Sequence, residues 1–183
     1  MQWFGSFLGG LTDAGAAFGT ASAGKGILES GIYSPDLIWR NLIPVIMAGV
    51  NGIYGLITSI VLMSAINKPH TSGMPTYTLY AGFAHLAAGL CCGLCGLASG
   101  MAIGICGGSA VRGCGVYDVM QRRQIYKGDY SVGTKKSGKK SSTGSETLFV
   151  VMVLVQVFSG NLALYGLITS IIMLTQAHDT CDV

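Results

Sequence analysis

Residues 157–170 read Val157-Phe-Ser-Gly-Asn-Leu-Ala-Leu-Tyr-Gly-Leu-Ile-Thr-Ser170 and lie in the middle of a long apolar run. Their second half, Tyr165-Gly-Leu-Ile-Thr-Ser170, occurs again word for word as Tyr54-Gly-Leu-Ile-Thr-Ser59. The two copies are 111 positions apart. Self-similarity at such a distance is the signature of an internal repeat. We therefore interpret the chain as two copies of a two-helix unit.

The composition indicates a membrane protein. Half of the 183 residues are apolar, only 10% are charged, and the mean hydropathy is +0.55. Soluble domains carry about 25% charged residues and ~7% Gly, whereas this chain has 28 Gly. Low charge and Gly placed inside apolar runs are typical of closely packed membrane helices. A collagen-like or disordered chain is excluded because Gly lies within apolar segments and only four Pro are present.

Four apolar segments are long enough to cross a ~30 Å hydrocarbon core, which requires about 20 residues. The sequence therefore predicts an all-α membrane protein with four transmembrane helices in two tandem hairpins. The first hairpin, 1–66, has helices over about 3–28 and 43–66; the second, 77–176, has helices over about 77–111 and 148–174. The connection 113–146 contains a polar, Lys-rich run over 133–145 and is predicted to be flexible. It either attracts anionic lipid or serves only as a solvated loop.

The basic residues predict the orientation of the chain. Eight of the 11 Lys and Arg lie between the third and fourth segments, and Lys25 and Arg40 flank the first connection. Only Lys68 lies in the second connection. Because connections rich in Lys and Arg remain in the cytosol, we expect the first and third connections to be cytosolic. Both termini are then lumenal.

Two segments carry glycines at helical spacing. The third segment has a glycine at every fourth position from Gly96 to Gly108, which we call the glycine ladder, and the first segment has the same spacing at Gly15 and Gly19. Such a strip allows a neighbouring backbone to approach closely in lipid. We therefore predict helix packing along Gly15, Gly19, Gly96, Gly100, Gly104 and Gly108.

Four of the six Cys lie in the third segment, where Cys91, Cys92 and Cys95 could be interpreted as a metal cluster with His85. No other ligand stands at close spacing, so we interpret these Cys as small apolar residues. The chain also has no Gly-rich loop after a strand that would hold a phosphate. We predict no metal, no cofactor and no nucleic-acid partner.

Four motifs, which together cover all four segments, are Gly15-Ala-Ala-Phe-Gly-Thr-Ala21, Pro35-Asp-Leu-Ile-Trp-Arg-Asn-Leu-Ile-Pro-Val-Ile-Met-Ala-Gly49, Gly93-Leu-Cys-Gly-Leu-Ala-Ser-Gly-Met-Ala-Ile-Gly104 and Leu148-Phe-Val-Val-Met152. Together they resemble one family, the proteolipid (c-type) subunits of the vacuolar-type proton ATPase. The resemblance implies a membrane rotor ring in which Gly-rich helices line the inside. It also implies partners: other proteolipids, a membrane stator subunit and central-stalk subunits, in a vacuolar or other acidic endomembrane.

The resemblance also implies a proton-carrying Glu in the fourth helix, in a pattern of Phe-Ala-Glu, four residues and Tyr-Gly-Leu. This chain reads Phe158-Ser-Gly160 before Tyr165-Gly-Leu167, so the carrier position is Gly160. In a variant class the Glu lies in the second helix, where this chain has Gly49. Because a carrier needs a titratable group at mid-membrane, we expect this chain not to carry protons in the family's manner.

Other polar residues within the segments are candidates for intramembrane roles. Asp13 is the only carboxylate well inside a segment, and intramembrane acids are commonly functional. Its alternatives are direct proton carriage, a structural or inner-ring role, access to water near the end of the segment, or pairing with His85. The amides Gln156, Asn161 and Asn51 are predicted to form hydrogen bonds between helices. His85 is interpreted as a buried hydrogen-bonding group rather than a proton relay.

Two functions remain open at this stage. The first is a ring subunit of the vacuolar-type ATPase that fills a position without a carrier carboxylate. The alternative is a paralogue outside the pump, a self-assembling channel or scaffold built from the same hairpins. An enzyme is disfavoured because no set of His, Cys, Asp or Glu has catalytic spacing. ATP hydrolysis would belong to other subunits.

Overall fold

A computed structural model describes residues 2–66, 79–129 and 143–179. These residues form helices and short connections, and no strand occurs among them, which confirms the all-α prediction. Two 3₁₀ turns, Pro35–Leu37 and Arg40–Leu42, connect the second helix to the third. The helices are α1 Gln2–Gly9, α2 Leu11–Tyr33, α3 Ile43–Ile66, α4 Leu79–Asp129 and α5 Thr143–Asp179.

Three stretches of the described chain are long and apolar enough to cross a membrane: Arg40–Ser64, Tyr80–Gln124 and Glu146–Gln176. They overlap the second, third and fourth predicted spans, and the stretch Tyr80–Gln124 continues beyond the predicted end of the third span at 111. The first predicted span, 3–28, is helical but is divided at Gly10 into α1 and α2. Asp13, Lys25 and Glu29 lower the apolar content of α2. A total of four spans therefore stays a prediction.

The connection 113–146 differs from our expectation of a flexible loop. Helix α4 continues through Asp129 and α5 begins at Thr143, so only 130–142 lie outside the described residues. At 1.5 Å per residue the 51 residues of α4 extend about 75 Å, far more than the ~30 Å core. The extension is helical because it contains no Pro and because Arg122 pairs with Asp118 one turn earlier, at 2.9 Å.

Helix α4 is the centre of the bundle and contacts each of the other four helices. Helices α1 and α2 run parallel to it, since Gly15 lies against Leu97 and Gly26 against Gly108. Helices α3 and α5 run antiparallel to it: Asn51 reaches Ser99, and Gly166 lies against Cys95. The two copies of the Tyr-Gly-Leu-Ile string thus lie on the two helices that flank α4 and run in the same direction.

The glycines of α2 and α4 face each other along the contact. A Cβ at Gly15 would lie 2.7 Å from the Cα of Leu97, and a Cβ at Gly19 would lie 2.8 Å from the carbonyl oxygen of Gly100. A Cβ at Gly104 would lie 2.9 Å from the Cα of Gly19. Each of these neighbours is a backbone atom. The absence of side chains therefore sets the separation of the two helices.

The first and third connections leave the bundle at the same end. The guanidinium of Arg40 stacks over the ring of Phe149 at 4.8 Å, and Arg112 pairs with Glu29 at 2.7 Å. An apolar cluster of Ile27, Val111 and Met152 packs beneath them. Arg40 and Arg112 therefore lie at the same end of the bundle. The side of the membrane that this end faces stays a prediction.

Candidate functional site

A chain of hydrogen bonds joins α3, α4 and α5 in the middle of the bundle. Asn51 Nδ2 donates to Ser99 Oγ at 2.8 Å, and Ser99 Oγ donates to the carbonyl oxygen of Ser159 at 2.6 Å. Ser159 Oγ donates in turn to the carbonyl oxygen of Ser99 at 3.3 Å. All three side chains are buried. We refer to Asn51, Ser99 and Ser159 as the polar layer.

Gln156 lies one turn from the polar layer and is fully buried. Its Nε2 donates to the carbonyl oxygen of Ile103 at 3.3 Å, so it joins α5 to α4. Within the described chain, Gln156 Oε1 and Asn51 Oδ1 have no hydrogen-bond partner. A buried acceptor without a partner costs about 1–3 kcal/mol. The core of the bundle thus retains two acceptors that can still bind a donor.

The two positions that the family resemblance assigns to a carrier Glu lie open on the surface of the chain. A Cβ built at Gly160 or at Gly49 would have no atom within 4 Å. Gly160 directly follows Ser159, and its exposed neighbours Phe158 and Leu162 are 65% and 53% accessible. A side chain would therefore fit at either position, beside the polar layer, yet neither residue has one.

Asp13 lies on α2 against α3. Its Oδ1 is 3.3 Å from the point where a Cβ of Gly52 would stand, and the side chain is exposed. Gly52 follows Asn51 directly, so the carboxylate lies next to the α3 side of the polar layer. The missing side chain of Gly52 is what leaves room for the carboxylate.

The other two predicted polar residues lie apart from this site. A Cβ at Gly5 would lie 2.8 Å from the carbonyl oxygen of His85. Gly5 precedes Asp13 by eight residues, which places His85 and Asp13 about 12 Å apart along the helices. His85 is buried and Asn161 is exposed. Asn51 and Gln156 donate hydrogen bonds to a neighbouring helix. Asn161 makes no such bond within the described chain.

Sequence reasoning missed Ser99, Ser159 and Gly52. Ser99 stands inside the glycine ladder and Ser159 directly precedes Gly160, and neither was assigned a role from the sequence. A hydroxyl inside an apolar segment is itself a signal, because it must find a hydrogen-bond partner in lipid. Applying that rule to every Ser of the predicted helices would have selected both residues. Nothing in the sequence indicates that Gly52 faces a carboxylate.

No group of three or more His, Cys, Asp or Glu side chains that could hold a metal occurs in residues 2–66, 79–129 and 143–179. Cys91, Cys92 and Cys95 are free thiols. Cys91 Sγ lies 3.2 Å from Thr169 Oγ1 on α5, and Cys95 lies against Gly166. These contacts are those of small residues that fill a helix interface.

Comparison with known proteins identifies the family. The family model of the ATP synthase C subunit matches residues 4–62. The chain is 40% identical over 172 residues to the 16 kDa proteolipid of the V-type proton ATPase of Chrysotila carterae, covering 94% of this chain and 87% of that protein. It is 43% identical to the corresponding 16 kDa proteolipid of Ascaris suum and 42% identical to one from Caenorhabditis elegans. Each of these two matches covers 89% of this chain and 81% of the relative.

The chain belongs to the V-type ATPase proteolipid family. The resemblance drawn from the sequence motifs is thereby confirmed. In this proteolipid the family-model match extends from α1 nearly to the end of α3, and the matches to full-length relatives also include most of α4 and α5.

The Ser99→Ala variant of this proteolipid is expected to lower the free energy of unfolding by about 1–2 kcal/mol. The change removes the hydrogen bond to the Ser159 carbonyl and leaves Asn51 Nδ2 buried without an acceptor. The matched control is Ser109→Ala, since Ser109 is exposed on the same helix and donates only to Cys106 of its own turn. Unfolding in mixed micelles, followed by circular dichroism, measures both variants; equal stability of the two would contradict the role of the polar layer.

Proposed function

We propose that this proteolipid is a subunit of the membrane rotor ring of a V-type proton ATPase and fills a ring position that has no carrier carboxylate. The observation that carries the proposal is the open outer position at Gly160, which has no atom within 4 Å of a built Cβ. That position is the one at which the family pattern has its Glu. ATP hydrolysis lies in other subunits, and this chain contributes to proton translocation by completing the ring.

The packing of the helices supports this arrangement in the ring. The tight glycine contact between α2 and α4 makes a narrow pair, which suits the smaller circumference of an inner wall. Helices α3 and α5 flank α4 and expose large apolar side chains, which suits the outer wall that faces lipid. These side chains are Ile46, Ile53, Leu56 and Ile60 on α3, and Leu154, Phe158, Leu162 and Tyr165 on α5.

A ring with such a position moves protons on its remaining subunits. A carrier must be neutral while it faces lipid and charged when it meets the stator, and Gly160 has no group that titrates. The partners of this chain are other proteolipids, the membrane stator subunit and the central-stalk subunits. In the proposed orientation both termini are lumenal and the first and third connections are cytosolic, in a vacuolar or other acidic endomembrane.

The copy number of this chain in the intact ATPase tests the proposal. The assembly is purified from its source through a tag on a catalytic-head subunit, and the chain is quantified by mass spectrometry against that subunit. A fixed ratio is expected because a ring position is stoichiometric. Absence from the purified assembly would overturn the proposal and favour a channel or scaffold outside the pump.

The Asp13→Asn variant is expected to leave ATP-driven acidification by the purified, reconstituted ATPase unchanged within about twofold. Asp13 lies on α2, which we assign to the inner wall, away from the stator. The control is Asp118→Asn, which removes an acid from the α4 extension, where it pairs with Arg122. Loss of acidification in Asp13→Asn alone, with normal assembly, would make Asp13 a carrier and would contradict a non-carrying position.

A further inference from the structure

A cleft of about 390 Å³ opens between the C-terminal end of α2 and the extension of α4. Glu29, Ser30 and Tyr33 line it from α2, and Arg112 and Arg123 line it from α4. From Leu79 to Val111, α4 has no Asp, Glu, Lys or Arg, so Arg112 is its first charged residue. The cleft therefore begins where the apolar part of α4 ends, at the level of the membrane surface.

The polar groups of the cleft suit an anion. Arg112 pairs with Glu29 at 2.7 Å, but the two side chains are 52% and 57% exposed, and an exposed ion pair is weak. Arg123 has no salt-bridge partner among the described residues. Ser30 is 4% exposed, and its Oγ has no hydrogen-bond partner in the described chain. The cleft thus offers two guanidinium groups and a buried hydroxyl donor, with one carboxylate opposing them.

The remaining wall of the cleft is apolar. Val116, Val119 and Met120 line it, and Val116 and Met120 are 57% and 62% exposed. Tyr33 at the rim is an aromatic residue of the kind that is enriched at membrane interfaces. Free phosphate would leave this apolar surface uncovered. A ligand with both an anionic head and apolar chains covers the part of this surface nearest Arg112, at Val116.

We propose that the cleft binds the headgroup of an anionic phospholipid, with the phosphate between the two guanidinium groups and the acyl chains running past Arg112 along the apolar part of α4. Arginine matches the geometry of phosphate oxygens and binds them in a bidentate manner. Arg112 and Arg123 are eleven residues apart, about 16 Å along the helix, so the headgroup lies between them. Glu29 competes with the phosphate for Arg112. The proposal requires only that the cleft lies at a membrane surface; it does not depend on a role in the rotor ring.

Native mass spectrometry of the full chain in detergent tests the proposal. The chain is titrated separately with phosphatidylglycerol and with phosphatidylcholine, and we expect tighter binding of phosphatidylglycerol. Arg123→Gln is expected to weaken phosphatidylglycerol binding about fivefold, since a basic residue at the membrane surface contributes about that factor. Glu29→Gln is expected to strengthen it severalfold, which a merely structural role of the ion pair would not do.

The matched control is Arg122→Gln, because Arg122 neighbours Arg123 but pairs with Asp118 and does not line the cleft. Its phosphatidylglycerol affinity is expected to match that of the parent chain. If Arg123→Gln fails to fold, Arg123→Lys is measured instead. It keeps the charge and is expected to retain most of the binding. The proposal would be overturned if Arg122→Gln lost as much phosphatidylglycerol affinity as Arg123→Gln, or if Glu29→Gln bound phosphatidylglycerol more weakly than the parent chain. It would also be overturned if inorganic phosphate displaced phosphatidylglycerol as well as added phosphatidylglycerol does. Equal affinity for phosphatidylglycerol and phosphatidylcholine would also overturn it.

Discussion

The Gly100→Leu variant is expected to lose about 3 kcal/mol or more in its free energy of unfolding. A Cβ at Gly100 would stand 2.8 Å from the Cα of Gly15 and would meet the carbonyl group of Gly15 still more closely. Because these are backbone atoms, no change of rotamer relieves the overlap, and α2 must move away from α4. The loss is measured by circular dichroism as a denaturing detergent is added to the chain in mild micelles.

The control is Gly113→Leu on the same helix. A Cβ at Gly113 meets no atom within 4 Å, and the change in helix propensity is the same for both variants. The difference between the two variants therefore isolates the contact with α2. If Gly113→Leu destabilised the chain as much as Gly100→Leu, the glycine contact would not be what holds the two helices together.

The Gly160→Glu variant is expected to fold and to gain a membrane-embedded carboxyl group. The built Cβ at this position meets no atom within 4 Å, so the side chain points out of the bundle without displacing a neighbour. Insertion remains possible because the carboxyl group enters lipid in its neutral form. A hydrophobic carbodiimide reacts with protonated carboxylic acids and therefore detects the new group. We expect labelling of the variant to rise at least fivefold above that of the parent chain. The parent chain has its own carboxylate in the first turn of α2, Asp13, which sets the background of the measurement.

The matched control is Gly166→Glu, six residues further along α5. A Cβ there would lie 2.5 Å from the Cβ of Cys95, so this variant is expected to fold poorly and to be recovered in low yield. Gly160→Glu within the purified ATPase is expected to assemble and to sustain ATP-driven acidification. Failure of Gly160→Glu to fold, with yields as low as those of Gly166→Glu, would show that the position at Gly160 is not open to a side chain.

Uniformly apolar segments were predicted well. The second predicted span, 43–66, matches α3 Ile43–Ile66 to the residue, and the fourth, 148–174, lies within α5 Thr143–Asp179. Both begin and end where polar residues appear, so composition alone defines them. The break at Gly10 and the helix over 113–129 were missed. Both depend on local backbone and side-chain contacts, such as the pair Arg122–Asp118, that a hydropathy pattern does not record.

The amino-acid sequence is sufficient to identify a glycine-rich membrane protein of the proteolipid family with no carboxylate at residue 160. These properties depend on residue type and spacing, which the sequence states directly. Only the tertiary structure shows that Ser99 links Asn51 to Ser159 and that Asp13 faces Gly52. It alone brings Arg112 and Arg123 to the cleft beside Ser30. Pairing between helices depends on their axial shift and rotation, and these follow from how closely the glycine-lined backbones approach each other.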